Sequence, residues 1–96
     1  MRTRDDGVAI EALSRLCNLG PVSSGWLVEA GIRSPAQLRR LGAIRTFHRV
    51  LMRRGGVGVS LNLLYALEGA LRGLRWDLLT REERDALRRA AERPLP

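Results

Sequence analysis

"SLNLLYALEGALRGL", residues 60–74, decides the fold. At 100° per residue, Leu63, Leu64, Leu67, Leu71 and Leu74 make one broad apolar face, and Ala66, Gly69, Ala70 and Gly73 make an adjoining face of small residues. Ser60 stands where an N-cap hydroxyl is wanted. The spacing predicts a continuous, mostly buried helix from Ser60 to Leu74, contacted by neighbours on both faces. Gly69 supports this, because a glycine inside a helix costs about 1 kcal/mol relative to alanine and calls for a compensating close approach of another backbone. Glu68 and Arg72, four apart, read as a helix-surface pair.

Upstream, Ile10, Leu13, Leu16 and Cys17 recur at helical spacing and predict a first helix over about residues 8–17. Asn18 to Val22 forms a turn in which Asn18 tolerates a left-handed conformation and Gly20 sits where freedom is needed. Ser23 is the expected cap of a short second helix carrying Trp26, Leu27 and Ala30 and stopped by Gly31. "SPAQLRRLG", residues 34–42, spells a third helix: Ser34 as N-cap, Pro35 at the first helical position, Gln37 completing a capping box and Gly42 as the stop. In a fourth, at about 43–53, Ala43, Ile44, Phe47, Val50 and Leu51 share a face, and Arg45, Arg49 and Arg53 line up nearly opposite as a solvent-facing stripe. "RRGGVGVS", residues 53–60, interrupts the periodicity. The last helix opens at Thr80 with a Thr-Arg-Glu-Glu capping box, runs to about Arg93 and stops at Pro94, with Leu79, Leu87 and Ala90 or Ala91 facing inward. No segment alternates with period two. The expected architecture is all-α: a compact bundle of five or six short helices.

At 96 residues and 45% hydrophobic the chain holds one core and not two, and with four aromatic residues that core is built from Leu, Val, Ile and Ala. Cys17, the only cysteine, excludes an intramolecular disulfide. The start MRTRDDGV has no apolar stretch resembling a signal peptide, and no apolar run approaches the roughly 20 residues that span a bilayer, so a cytoplasmic protein without membrane contact is expected. The net charge of +7 is concentrated: residues 33–58 hold seven arginines and no acid, while the remainder is close to neutral. Such one-sided charge points to an acidic partner, either nucleic acid or an acidic protein surface. The chain also has 17 arginines and no lysine, a bias that coding-sequence base composition produces by itself.

An enzyme is the least favoured class, since no paired carboxylates, nucleophile with base, or metal-ligand spacing is present, and no cofactor is expected. His48, the only histidine, is expected to be a solvated helix-edge residue, and Cys17 a small core residue. "GGVGVS" lacks both the lysine and the preceding strand of a phosphate-binding loop. Trp26, Tyr65 and Trp76 are not interleaved with arginines as in single-strand binders and read as core, edge-of-core or protein-contact residues.

"LCNLGPVSSGWLVEAGIRSPAQLRRLGAIRTFHRVL", residues 16–51, followed by "GVSLNLLYALEGALRGLRWDLL", residues 58–79, resembles the C-terminal domain of the TfoX/Sxy family, bacterial regulators linked to natural competence. The resemblance covers about residues 13–90. It implies a small all-helical fold with helix-hairpin-helix-like parts in the N-terminal half, and a regulatory role. The Met-Phe-Gly-Gly type segment of the family's N-terminal domain is not found, so a stand-alone C-terminal domain is expected. Nucleic-acid-binding hairpins carry a turn of the form Gly-hydrophobic-Gly-Pro-Lys-Thr, with backbone N–H groups at the start of the second helix facing a phosphate. Here the aligned residues are Asn18, Leu19, Gly20, Pro21, Val22 and Ser23, so the turn survives and Val22 removes the lysine. The free N–H groups of Ser23, Ser24 and Gly25 remain to meet an anion. Candidate binding residues are therefore Asn18, Gly20, Ser23 and Ser24 at the hairpin and Arg39, Arg40, Arg45, Arg49 and Arg53 on the basic segment. Two functions stay open: a regulatory domain that docks on a protein partner, and direct, largely sequence-independent binding of duplex DNA through the hairpin and the arginine stripe.

Overall fold

Residues 60–74 do fold around one buried helix, α5, but it spans Leu61–Arg72 and ends short of Leu74. The Ser60 hydroxyl accepts the Asn62 N–H at 3.3 Å. Gly73 turns left-handed (φ 65°), and the Leu74 N–H returns to the Gly69 carbonyl at 2.8 Å, so the chain leaves the helix axis there. Leu63, Leu64, Leu67, Gly69 and Ala70 are buried, while Leu61, Asn62 and Arg72 at the ends are exposed.

The computed structural model describes residues 3–93. Besides α5 it contains α1 (Arg4–Ser14), α2 (Pro21–Glu29), α3 (Pro35–Leu41), α4 (Ala43–Arg54) and α6 (Arg81–Glu92), with one 3₁₀ turn at Trp76–Leu78 between α5 and α6. There is no strand among the described residues, and the bundle is all-α. Among the described residues no helix is long and apolar enough to cross a membrane.

The helix starts follow local chemistry, in places not where the sequence predicted them. α1 begins at Arg4 and ends at Ser14, earlier at both ends than residues 8–17, because the Thr3 hydroxyl accepts the Asp6 N–H (3.2 Å) while the Asp6 carboxylate accepts the Thr3 N–H (3.1 Å). The cap of α2 is Gly20 and not Ser23. Pro21 at the first helical position needs no N–H partner, and Ser23 lies within the first turn. α2 closes as predicted at Gly31 (φ 91°), with Gly31 N–H donating to Val28 (3.0 Å) and Ile32 N–H to Leu27 (2.9 Å). At α3 the Ser34 hydroxyl accepts the Gln37 N–H at 3.1 Å, but the Gln37 side chain accepts from Arg33 rather than from Ser34, which shifts the second half of the predicted capping box by one residue.

α4 touches α2, α3, α5 and α6 and is the hub of the bundle. Its buried residues are Ala43, Thr46, Phe47 and Val50, an i, i+3, i+4, i+7 set, while Ile44 and Leu51 are only half-buried. The inward face is thus turned toward Thr46 compared with the predicted one. α6 carries the predicted capping box, Thr80 with Glu83, but buries none of its own residues fully. Leu87 and Ala91 rest on the core from outside, Ala90 is half-buried, and Leu79 just before the helix is buried. Pro94, the predicted stop, lies outside the described residues. One core joins all the other helices through Leu13, Leu27, Leu38, Val50, Leu64 and Leu67, each with no exposed surface.

Candidate functional site: a tryptophan groove and an arginine face

The hairpin turn is held in place by Asn18, at φ 71° the one non-glycine residue with positive φ among those described. Its carboxamide nitrogen donates to the carbonyls of Leu74 (2.8 Å) and Ala66 (3.3 Å), and its oxygen accepts the Trp76 N–H (3.1 Å). Two of these bonds satisfy backbone groups just past the end of α5, those of Leu74 and Trp76, and the third adds to a carbonyl within the helix, so the side chain is occupied by the fold. Gly20, by contrast, is extended (φ −102°) and open to solvent, with nothing near the position of a Cβ, so the turn does not draw on its freedom. Ser24 is wholly buried, its hydroxyl 3.0 Å from that of Ser14, and its N–H already donates to the Gly20 carbonyl at 2.9 Å. Gly25 is buried as well. The expected cradle of free N–H groups over Ser23, Ser24 and Gly25 therefore shrinks toward the Val22–Ser23 edge of the helix.

What opens beside that edge is an aromatic groove of about 300 Å³, between Trp26 of α2, Trp76 of the 3₁₀ turn, Gly58 and Ser60 of the connecting loop, and Asn62 and Ala66 of α5; Ser23 also lines it. The Arg54 guanidinium lies 4.2 Å above the Trp26 ring, and its Nε donates to the Val57 carbonyl at 3.0 Å, which fixes the glycine-rich loop as the groove's wall. Trp76 is 41% exposed, and Val22 (66%), Val57 (68%) and Leu61 (37%), each adjacent in sequence to a lining residue, are exposed too. Trp26 and Trp76 are fifty positions apart, so no sequence signal joins them.

Arg39, Arg40, Arg45, Arg49 and Arg53 are all exposed, and none has a carboxylate within 4.0 Å among the described residues. Their neighbour Arg33 differs: it pairs with Asp6 at 2.7 Å and ties α1 to the loop before α3. The structure regroups the stripe, since Arg49 of α4 lines a small pocket together with Arg40 and Gln37 of α3.

His48 is not the solvated edge residue expected. It is half-buried, and its Nε2 lies 2.6 Å from the Ala91 carbonyl, so that nitrogen carries the proton and clasps the last turn of α6. Arg72 clamps the other end of α6, bonding Glu68 (2.7 Å) and also Glu83. The Thr80 N–H and then Arg72 hold the Glu83 carboxyl at about 2, well under the ordinary 4.5. Among the described residues no three His, Cys, Asp or Glu side chains are grouped to hold a metal.

Comparison with known proteins matches this arrangement to one family. The model of the TfoX C-terminal domain matches residues 10–91. A crystal structure of an uncharacterized protein from Listeria monocytogenes superposes with a TM-score of 0.74 at 35% identity, covering 83% of this chain and 89% of that one. No curated protein matches. With the family match running from α1 to the last turn of α6, the chain belongs to the TfoX C-terminal domain family.

Proposed function

We propose that this domain is a non-enzymatic regulatory binding module of the TfoX/Sxy competence-regulator type, acting by protein–protein contact in transcriptional regulation or DNA uptake. The observation that carries this is the tryptophan groove at the mouth of the hairpin. Where DNA-binding hairpins present a lysine and free N–H groups, this chain presents Val22, Trp26 and Trp76, with Ser24 turned inward. Two tryptophans set among the polar side chains of Ser23, Ser60 and Asn62, with no arginine in the lining, suit a partner's side chains better than a phosphate backbone, because tryptophan is among the residues that most often anchor protein interfaces.

The test compares proteins captured from extract of the source organism by the wild type, by Trp76→Ala and by the triple variant Arg45→Gln, Arg49→Gln, Arg53→Gln. Trp76→Ala keeps the backbone N–H that bonds Asn18, so the fold should persist. Truncating an anchoring tryptophan costs at least about 2 kcal/mol, roughly thirty-fold in affinity, so a partner should be lost with this variant and kept with the triple one. Equal capture by wild type and Trp76→Ala would remove the groove from consideration.

A second reading, direct binding of duplex DNA, is favoured by the five exposed arginines without acidic partners. It requires strong salt dependence, with the triple variant lowering the slope of log affinity against log salt by up to about 3. Val22→Lys should raise DNA affinity only if the hairpin itself faces the backbone.

A further inference from the structure

We infer that Arg40, Arg49 and the Gln37 carboxamide form an oxyanion pocket that holds one phosphate of a nucleic-acid backbone. The pocket lies between α3, α4 and the end of α2, where Ile32 lines it, whereas the groove opens beside Ser23 at the start of α2. A nine-residue helix places its ends about 12 Å apart, so the two sites are separate. The inference rests on the second, DNA-binding reading and not on the groove.

Every polar side chain in the pocket is a donor. Arg40 and Arg49 each bring a guanidinium with no carboxylate within 4.0 Å. Gln37 accepts the Arg33 N–H through its oxygen, which leaves its NH₂ group to donate. The remaining lining residues, Gly31, Ile32 and Leu41, add no acidic group. Of the carbonyls near the ends of α2 and α3, those of Leu27 and Val28 accept from Ile32 and Gly31, and that of Leu38 accepts from Gly42. Two guanidinium groups facing one cavity repel each other, and a bound anion converts that repulsion into paired charge-assisted hydrogen bonds. At about 180 Å³ the cavity is below the roughly 300 Å³ at which pockets for whole cofactors begin, so it accommodates one oxyanion group rather than a free nucleotide. Arg39, Arg45 and Arg53 extend the unpaired charge along the same two helices. On α4, Arg45 and Arg53 stand about one turn to either side of Arg49, a spacing that suits a chain of phosphates.

The experiment is a nuclear magnetic resonance titration at constant ionic strength, reading the arginine Nε–Hε and glutamine side-chain amide signals, first with inorganic phosphate against chloride and then with short duplex DNA. Phosphate should move Arg40, Arg49 and Gln37 and leave Arg81 and Arg84 of α6 in place. Duplex DNA should move the same set at lower concentration. Arg40→Gln and Arg49→Gln should each lower the salt slope of DNA binding by about 1, more than the control variant Arg81→Gln, Arg84→Gln, with melting temperatures unchanged in all. Trp76→Ala should leave all these shifts intact. Phosphate shifts spread evenly over every exposed arginine would overturn the pocket. If phosphate binds at the three residues but duplex DNA does not, while an acidic or phosphorylated peptide does, the nucleic-acid assignment is overturned.

Discussion

The Asn18 carboxamide rests directly on the bare Cα of Gly69: a Cβ added at Gly69 would fall on Asn18 Nδ2 and on the Leu74 carbonyl oxygen that this nitrogen bonds. Helix α5 therefore tolerates a glycine in its last turn because the hairpin turn is seated there. Gly69→Ala should be destabilising by about 1–3 kcal/mol through overpacking, even though alanine is the better helix former by about 1 kcal/mol. Urea melts measure it, and a variant as stable as the parent would disprove the close approach.

Asn18 combines a left-handed backbone with bonds to three backbone groups, and two substitutions separate these roles. Asn18→Gly keeps the backbone free and loses the bonds, so it should cost about 1–3 kcal/mol for the groups left unpaired. Asn18→Ala should cost about 1 kcal/mol more, the penalty of a Cβ in that region. Equal losses in the two melts would mean that the backbone conformation carries no strain.

Gly20 gives the opposite expectation. Its backbone is extended and its surroundings are empty, so Gly20→Ser should fold normally and change stability by only a few tenths of a kcal/mol, with the serine offering a cap to α2. Unfolding of Gly20→Ser would show that the turn needs glycine after all.

Acid should loosen α6 first. The Glu83 carboxyl, depressed to about 2 by the Thr80 N–H and by Arg72, stabilises the fold fully above its ordinary value of 4.5, and that contribution disappears as pH falls from 4.5 toward 2. Amide exchange in α6 should accelerate over this window ahead of α2 and α4. Glu83→Gln should already exchange faster at neutral pH and respond less to acid. A pH response of α6 identical in Glu83→Gln and wild type would exclude the clamp.

Most of the helices could be read from the chain because their signals are local. The Ser34 cap with Pro35, the Thr80 capping box, the stops at Gly31 and Gly42 and the leucine spacing of α5 each act within one or two turns, where hydrogen bonds and periodicity depend on near neighbours alone. The misplaced starts of α1 and α2 were local as well, at an Asp in place of the usual Glu in one capping box and at a glycine cap before Pro21. What only the tertiary structure decided is which side chains meet. Asn18, a candidate ligand by its place in the hairpin, bonds Ala66 and Leu74, 48 and 56 residues away. His48 closes on Ala91, Trp26 and Trp76 come to line one groove, and Arg49 comes to share a pocket with Arg40 of the preceding helix. The sequence sets the charge and the apolar faces of each helix, but the meeting of one helix edge with another depends on how α2, α3, α5 and α6 pack on α4 and α1 on α2. That packing, through buried contacts distant in the chain, brings together the residues that line the groove and those that line the arginine pocket.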